Sequence, residues 1–178
     1  MTSMKSMTPL KPMKPFRPMQ PLLLLALSAW ICSACATSRR GEAEVRMEGA
    51  KPCFTLTAKE AKRDPGVRLQ AVIVSDASSK PVTKVWSMSV DPAQGAPMSN
   101  ASCIAYGQMP PGAETSTPPA PLQPDRVYLV YLNGRPSDPS DPTHGYGAKF
   151  CLAADGAQGQ RLVPLKPGSR EWIEEVCR

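Results

Sequence analysis

Apolar and polar positions alternate with a period of two along much of the chain beyond residue 43. Val67, Leu69, Ala71 and Ile73 are interleaved with Arg68 and Gln70, and Trp86, Met88 and Val90 with Ser87 and Ser89. Successive side chains of a strand point to opposite faces, so this alternation predicts half-buried strands. Strands are predicted over Glu44–Met47, Cys53–Thr57, Val67–Ser75, Thr83–Val90, Ser102–Gly107, Val127–Asn133, Tyr146–Ala153 and Arg161–Leu165. Between them stand Asp64-Pro65-Gly66, Asp91-Pro92, Met109–Pro121 and Ser137–Pro142. Proline has no backbone donor to give to a ladder, so these read as turns and loops. No apolar stripe of period 3.6 lasts long enough to argue a core helix. Many short strands parted by turn signals predict an all-β, antiparallel sandwich over residues 43–178.

One segment narrows the sandwich type. Leu122-Gln123-Pro124-Asp125-Arg126-Val127-Tyr128 sets a Leu and a Pro six and four residues ahead of a Tyr that opens a strongly apolar strand. It resembles the tyrosine corner of immunoglobulin-like and fibronectin type III-like sandwiches, in which the hydroxyl bonds back to the upstream backbone. Trp86 is predicted as a central core residue, because a large indole on an alternating strand is normally packing.

The first forty residues follow another pattern. A stretch with Lys5, Lys11, Lys14 and Arg17 and no acid precedes the apolar run Pro21–Ile31. This is the charged and apolar order of a secretory signal, and the run is too short to span a bilayer, which takes about 20 apolar residues. Next comes Cys32-Ser33-Ala34-Cys35, which resembles the bacterial lipobox, with Cys32 in the place usually held by Leu. That resemblance implies a cleaved leader over residues 1–34, a covalent lipid on Cys35 and a lipidated polar tether over residues 35–42. Ala36 in place of Asp implies the outer membrane, with the domain facing the periplasm. The alternative is an ordinary leader cut near Ala34 or Ala36. Translation from Met13 would keep Lys14 and Arg17 ahead of the apolar run.

Cleavage changes what composition means. It removes four basic residues and no acidic one, so the formal charge drops from +6 to +2 and 144 residues remain. That length makes one domain with a real core, and a nucleic-acid partner loses its main support, a clustered basic face. Besides Cys35, the cysteines left are Cys53, Cys103, Cys151 and Cys177, an even set that in an exported chain reads as two disulfides with three connectivities open. Under the sandwich model, Cys53 and Cys103 lie on strands of one sheet and pair, which leaves Cys151 for Cys177 and pins the segment Ser169–Arg178 to the last core strand. Zinc has little to bind, with no Cys-x-x-Cys left and one histidine, and no other cofactor is implied.

Nothing argues for catalysis. The single histidine, His144, lies in the loop Asp141-Pro142-Thr143-His144-Gly145, and no Gly-x-Ser-x-Gly, His-Glu-x-x-His or phosphate loop occurs. Glu174 and Glu175 read as solvated charges of a polar tail. Long loops at the end of a sandwich commonly carry recognition, here Met109–Pro121 and Asn133–Gly145. Arg135, Asp138, Asp141 and His144 in the second form a mixed-charge set suited to a protein partner.

Taken with the lipobox, the order of Val45-x-Met47, Cys53-Phe54-Thr55-Leu56, Cys103-Ile104-Ala105-Tyr106-Gly107 and Tyr128-Leu129-Val130-Tyr131 resembles a family of small bacterial proteins, the type VI secretion immunity periplasmic lipoproteins. The resemblance covers roughly residues 43–153. It implies capture of a secreted protein toxin in the periplasm, and a family disulfide between Cys53 and Cys103. The C-terminal part with Cys151 and Cys177 departs from shorter members. A structural or assembly lipoprotein of the envelope or a secretion complex is the alternative, and a periplasmic inhibitor or ligand carrier a further one.

Overall fold

The computed structural model describes residues 38–155 and 160–177; Cys35, the leader and the cleavage site lie outside the described residues. The described part is all-β, a curled mixed sheet with two short helices. In chain order it runs β1 (Arg39–Glu48), β2 (Lys51–Leu56), α1 (Ala58–Arg63), β3 (Arg68–Asp76), β4 (Thr83–Val90), β5 (Ala96–Pro97) and β6 (Ile104–Ala105). Then follow β7 (Ala113–Thr117), β8 (Val127–Arg135), β9 (Thr143–Ala154), β10 (Gln160–Leu165) and α2 (Arg170–Glu174). The strand order is β6-β2-β1-β9-β8-β3-β4-β7, with β10 on β9 and β5 on β3.

Purely antiparallel pairing is corrected by β1. Its first part, Arg39–Glu42, runs parallel to β9, and Ala43–Glu48 then pairs antiparallel with β2. This also corrects the tether, since Arg39–Glu42 is strand. The inward positions there are Gly41 and Ala43, too small to give an apolar signal, and Gly41 is what lets the Tyr146 ring of β9 lie alongside. Because β1 belongs to both neighbours, the sheet curls, and Phe54 of β2 meets Trp86 of β4 and Phe150 of β9 with ring centroids 6.3 and 5.8 Å apart.

The alternation predicted in β3 changes phase midway. Val67 and Leu69 are buried, then Val72 and Val74, because Leu69 faces Gly134 of β8 and Ala71 faces Asn133, leaving Gln70 as the extra residue of a bulge. One added residue exchanges the two faces of a strand, so Ala71 and Ile73 turn outward. β4 keeps its phase, with Trp86, Met88 and Val90 buried; Ser87 is buried too, its hydroxyl 3.0 Å from that of Thr117 on β7. β7 lies inside the predicted loop Met109–Pro121: Glu114, Thr115 and Ser116 are exposed on an edge strand with no apolar face to announce it. The predicted loop Asn133–Gly145 is likewise shorter, its two ends continuing β8 and opening β9.

The main core contains Phe54, Trp86, Tyr128 and Phe150, all essentially inaccessible. A second, smaller cluster of Ala77, Val127, Cys151 and Leu165 is covered by Val163, Trp172 and Cys177. Both helices are capped by a hydroxyl: the Glu60 N–H donates to Thr57 Oγ1 at 3.3 Å and the Trp172 N–H to Ser169 Oγ at 3.2 Å. The disulfides are Cys53–Cys103 and Cys151–Cys177. Glu175 is not a solvated tail charge: it bonds Lys149 Nζ at 2.8 Å and Lys80 Nζ at 2.6 Å, which hold its carboxyl below the usual carboxylate range.

Candidate functional site

Tyr128 opens β8, and its hydroxyl accepts the main-chain N–H of Gln123 at 2.7 Å. Leu122, just upstream, packs on the main core, while Pro124 is exposed in the turn. The crossover from β7 is thereby fastened to the strand it leads into. Trp86 is fully buried, with Tyr106 edge-on to it at 5.3 Å. The Tyr106 hydroxyl donates to the Ala120 carbonyl at 2.8 Å and approaches the Val85 carbonyl at 3.1 Å, and burial pushes it up to about 12. These residues build the scaffold and do not converge on an open surface.

The loop between β8 and β9 does form an open surface. Arg135, Asp138, Asp141 and His144 line one depression of about 250 Å³. Gln70 and Asn133, outward polar residues of β3 and β8, share in it and were missed from sequence, where nothing marks a polar residue on an outer strand face. Asp141 and Asp138 are largely spoken for by the loop itself. The Thr143 hydroxyl donates to Asp141 at 2.6 Å and Arg63 pairs with it at 2.9 Å. The Thr143 hydroxyl, ahead of the opposing effect of burial, holds the Asp141 carboxyl below its ordinary value. Asp138 is lowered in the same sense by the Ser140 N–H and hydroxyl, each at 2.8 Å. Arg135 and His144 remain exposed.

Beneath the loop lies a buried polar network that sequence did not disclose. Glu60 of α1 is 2% exposed and pairs with Arg39 at the start of β1, which also donates to the Thr143 hydroxyl at 3.0 Å. Asp64, buried just after α1, accepts the Ser137 hydroxyl at 2.6 Å, the Ser137 N–H at 2.8 Å and the Gly66 N–H at 2.9 Å. Burial alone raises the Asp64 carboxyl; those three donors outweigh it and keep it below its usual value. Three carboxylates and two arginines are thus consumed in fixing one loop. Thr57-Ala58-Lys59-Glu60 carried a usable signal, a hydroxyl with Glu three residues later, the start of a helix.

A second groove, about 390 Å³, opens where β1 leaves β9 for β2, between Val45, Ala148, Leu165 and Trp172. Lys149 Nζ stands 5.2 Å over the Trp172 ring at its edge. Among the described residues one trio could in principle hold a metal, Glu48 with Cys53 and Cys103, but those sulfurs are bonded to each other and offer no thiolate.

No family model, curated protein or solved structure matches the chain.

The site is therefore defined by geometry alone: a rigid, mixed-charge loop at one end of the strands.

Proposed function

We propose that this chain is a lipid-anchored periplasmic binding protein, carried on Cys35 in the outer membrane, that captures and neutralises a protein toxin delivered by type VI secretion. The observation that carries the proposal is the joining of the two segments on which the family resemblance rests. Cys53-Phe54 of β2 pairs with Ile104-Ala105 of β6, the Cys53–Cys103 bond closes the pair, and the Tyr106 N–H donates to the Pro52 carbonyl at 2.8 Å. Segments fifty residues apart that form one covalently closed unit are what a shared scaffold requires. A capture protein further needs a rigid body and about 800 Å² of complementary surface on its own side. The pinned β8–β9 loop and two disulfides supply the rigidity.

We further infer that the curled sheet is an immunoglobulin-like sandwich. One layer is the second part of β1 with β2 and β6; the other is β9, β8, β3, β4 and β7. The Tyr128 hydroxyl on Gln123 supports this type, since it ties the crossover as a tyrosine corner does.

Deleting the gene and challenging the strain with wild-type siblings under active secretion tests the function: killing is expected, and rescue by the intact gene. Equal survival removes the immunity assignment. Survival combined with a failure of the envelope or of secretion itself points instead to an assembly lipoprotein.

A further inference from the structure

β1 enters the fold at Arg39, four residues after Cys35. An extended chain gains at most about 3.6 Å per residue, so those four reach no farther than about 14 Å. The start of β1 shares one end of the strands with the rest of the network: Arg39 is opposite Thr143, Ala43 opposite Leu56 at the end of β2, and Arg68 opposite Arg135. We propose that this end, with α1 as the contact, lies against the phospholipid headgroups of the membrane, and that the toxin-binding surface is at the opposite end. This rests on the lipid anchor proposed above.

Charge agrees with a headgroup phosphate as the occupant. On α1 the outward side chains not engaged by the loop are positive: Lys59 and Lys62 are exposed, Arg63 is exposed but pairs with Asp141 at 2.9 Å, and its one acid, Glu60, is turned inward onto Arg39. Arg40 and Arg135 add exposed cations that form no ion pair among the described residues. The exposed acids of this end are Glu42, Asp91, Glu114 and Asp138; none lies on α1, though the Glu42 carbonyl accepts the Thr57 N–H just ahead of it. Cations next to a lipid anchor strengthen its hold on an anionic surface.

With that end occupied, the depression around Arg135 and His144 faces lipid, and a toxin meets the other end. There Val82, in the β3–β4 loop, is 53% exposed and Ile173, on α2, 71% exposed, and the two elements are linked by Lys80 and Glu175 at 2.6 Å. A nine-residue strand such as β3 sets the two ends about 30 Å apart.

The test uses the full-length lipoprotein purified from membranes and reconstituted into phosphatidylethanolamine–phosphatidylglycerol vesicles that carry a short-range quencher on the headgroup. A fluorophore is placed on Lys59→Cys or on Val82→Cys, both exposed positions, with circular dichroism confirming an unchanged fold. Quenching severalfold stronger at position 59 than at 82 is expected. Equal quenching, or stronger quenching at 82, overturns the orientation while leaving the anchor intact. Mass spectrometry showing no lipid on Cys35, with protein that fails to float with vesicles, overturns the anchor and the orientation together.

Discussion

Gly41 of β1 packs against the ring of Tyr146 of β9. A Cβ on Gly41 would stand 2.3 Å from the ring's Cδ1, and one on Gly134 of β8 2.9 Å from its Cε2, so the buried ring has no room to retreat from either neighbour. Both glycines are needed for their lack of a side chain. Gly41→Ala is expected to cost about 1–3 kcal/mol by overpacking. Urea unfolding measures it, and in a double-mutant cycle Gly41→Ala should cost markedly less in a Tyr146→Val background than in wild type; an equal cost would mean that the clash lies elsewhere.

Tyr128→Phe removes the oxygen that accepts the Gln123 N–H and leaves that half-buried donor unpaired. A loss of about 1–3 kcal/mol is expected, with the fold retained. A change within error in the urea midpoint would show that Tyr128 acts by packing alone.

Acid should loosen the β8–β9 loop before it unfolds the core. Asp64 sits below its ordinary value of 3.8 in the folded state, and Asp141 likewise. A depressed carboxyl stabilises the fold fully above its unfolded value, and that stability is lost as pH falls through the folded value. Stability should therefore hold from neutrality to about pH 4 and fall below it, with Asp64→Asn showing a smaller drop between about pH 7 and pH 3 than wild type. Identical drops would remove Asp64 from the account.

The two disulfides should differ in worth. They close chain separations of 50 and 26 residues, and loop entropy predicts contributions of about 4 and 3.5 kcal/mol respectively. The paired Ser variants, compared by thermal unfolding, should separate more than this small difference. Cys53–Cys103 braces the main core, whereas Cys151–Cys177 secures the cap over the smaller cluster. Equal losses would indicate that the two clusters unfold as one.

Replacing Glu60 tests the network under the loop. Glu60→Gln keeps the shape but removes the charge facing Arg39. Faster hydrogen exchange across Ser137–Thr143, with exchange in β3 unchanged, is the expected result.

The strands were legible where large apolar residues alternate, as in β4, whose bounds Thr83 and Val90 are those predicted. They were hidden where the inward positions are Gly41 and Ala43, or where an edge strand such as β7 has no buried face. The phase change in β3 was also invisible, since a bulge at Gln70 is set by the partner strand and not by its own side chains. The cysteine pairing followed from the order of the strands. For the loop, composition gave the charged residues but not their roles: Asp141 and Asp138 read as recognition groups, and only tertiary structure shows the partners that occupy them.

The Cys151–Cys177 bond also decides what a cut would do. The exposed turn Lys166–Gly168 is the natural point for a protease to enter, and a break there would leave α2 attached to β9 through sulfur. A nicked molecule should run as one species on a non-reducing gel and shed its tail only with reductant. Damage at this site would then leave α2 in place over the smaller cluster, and the fold would survive it.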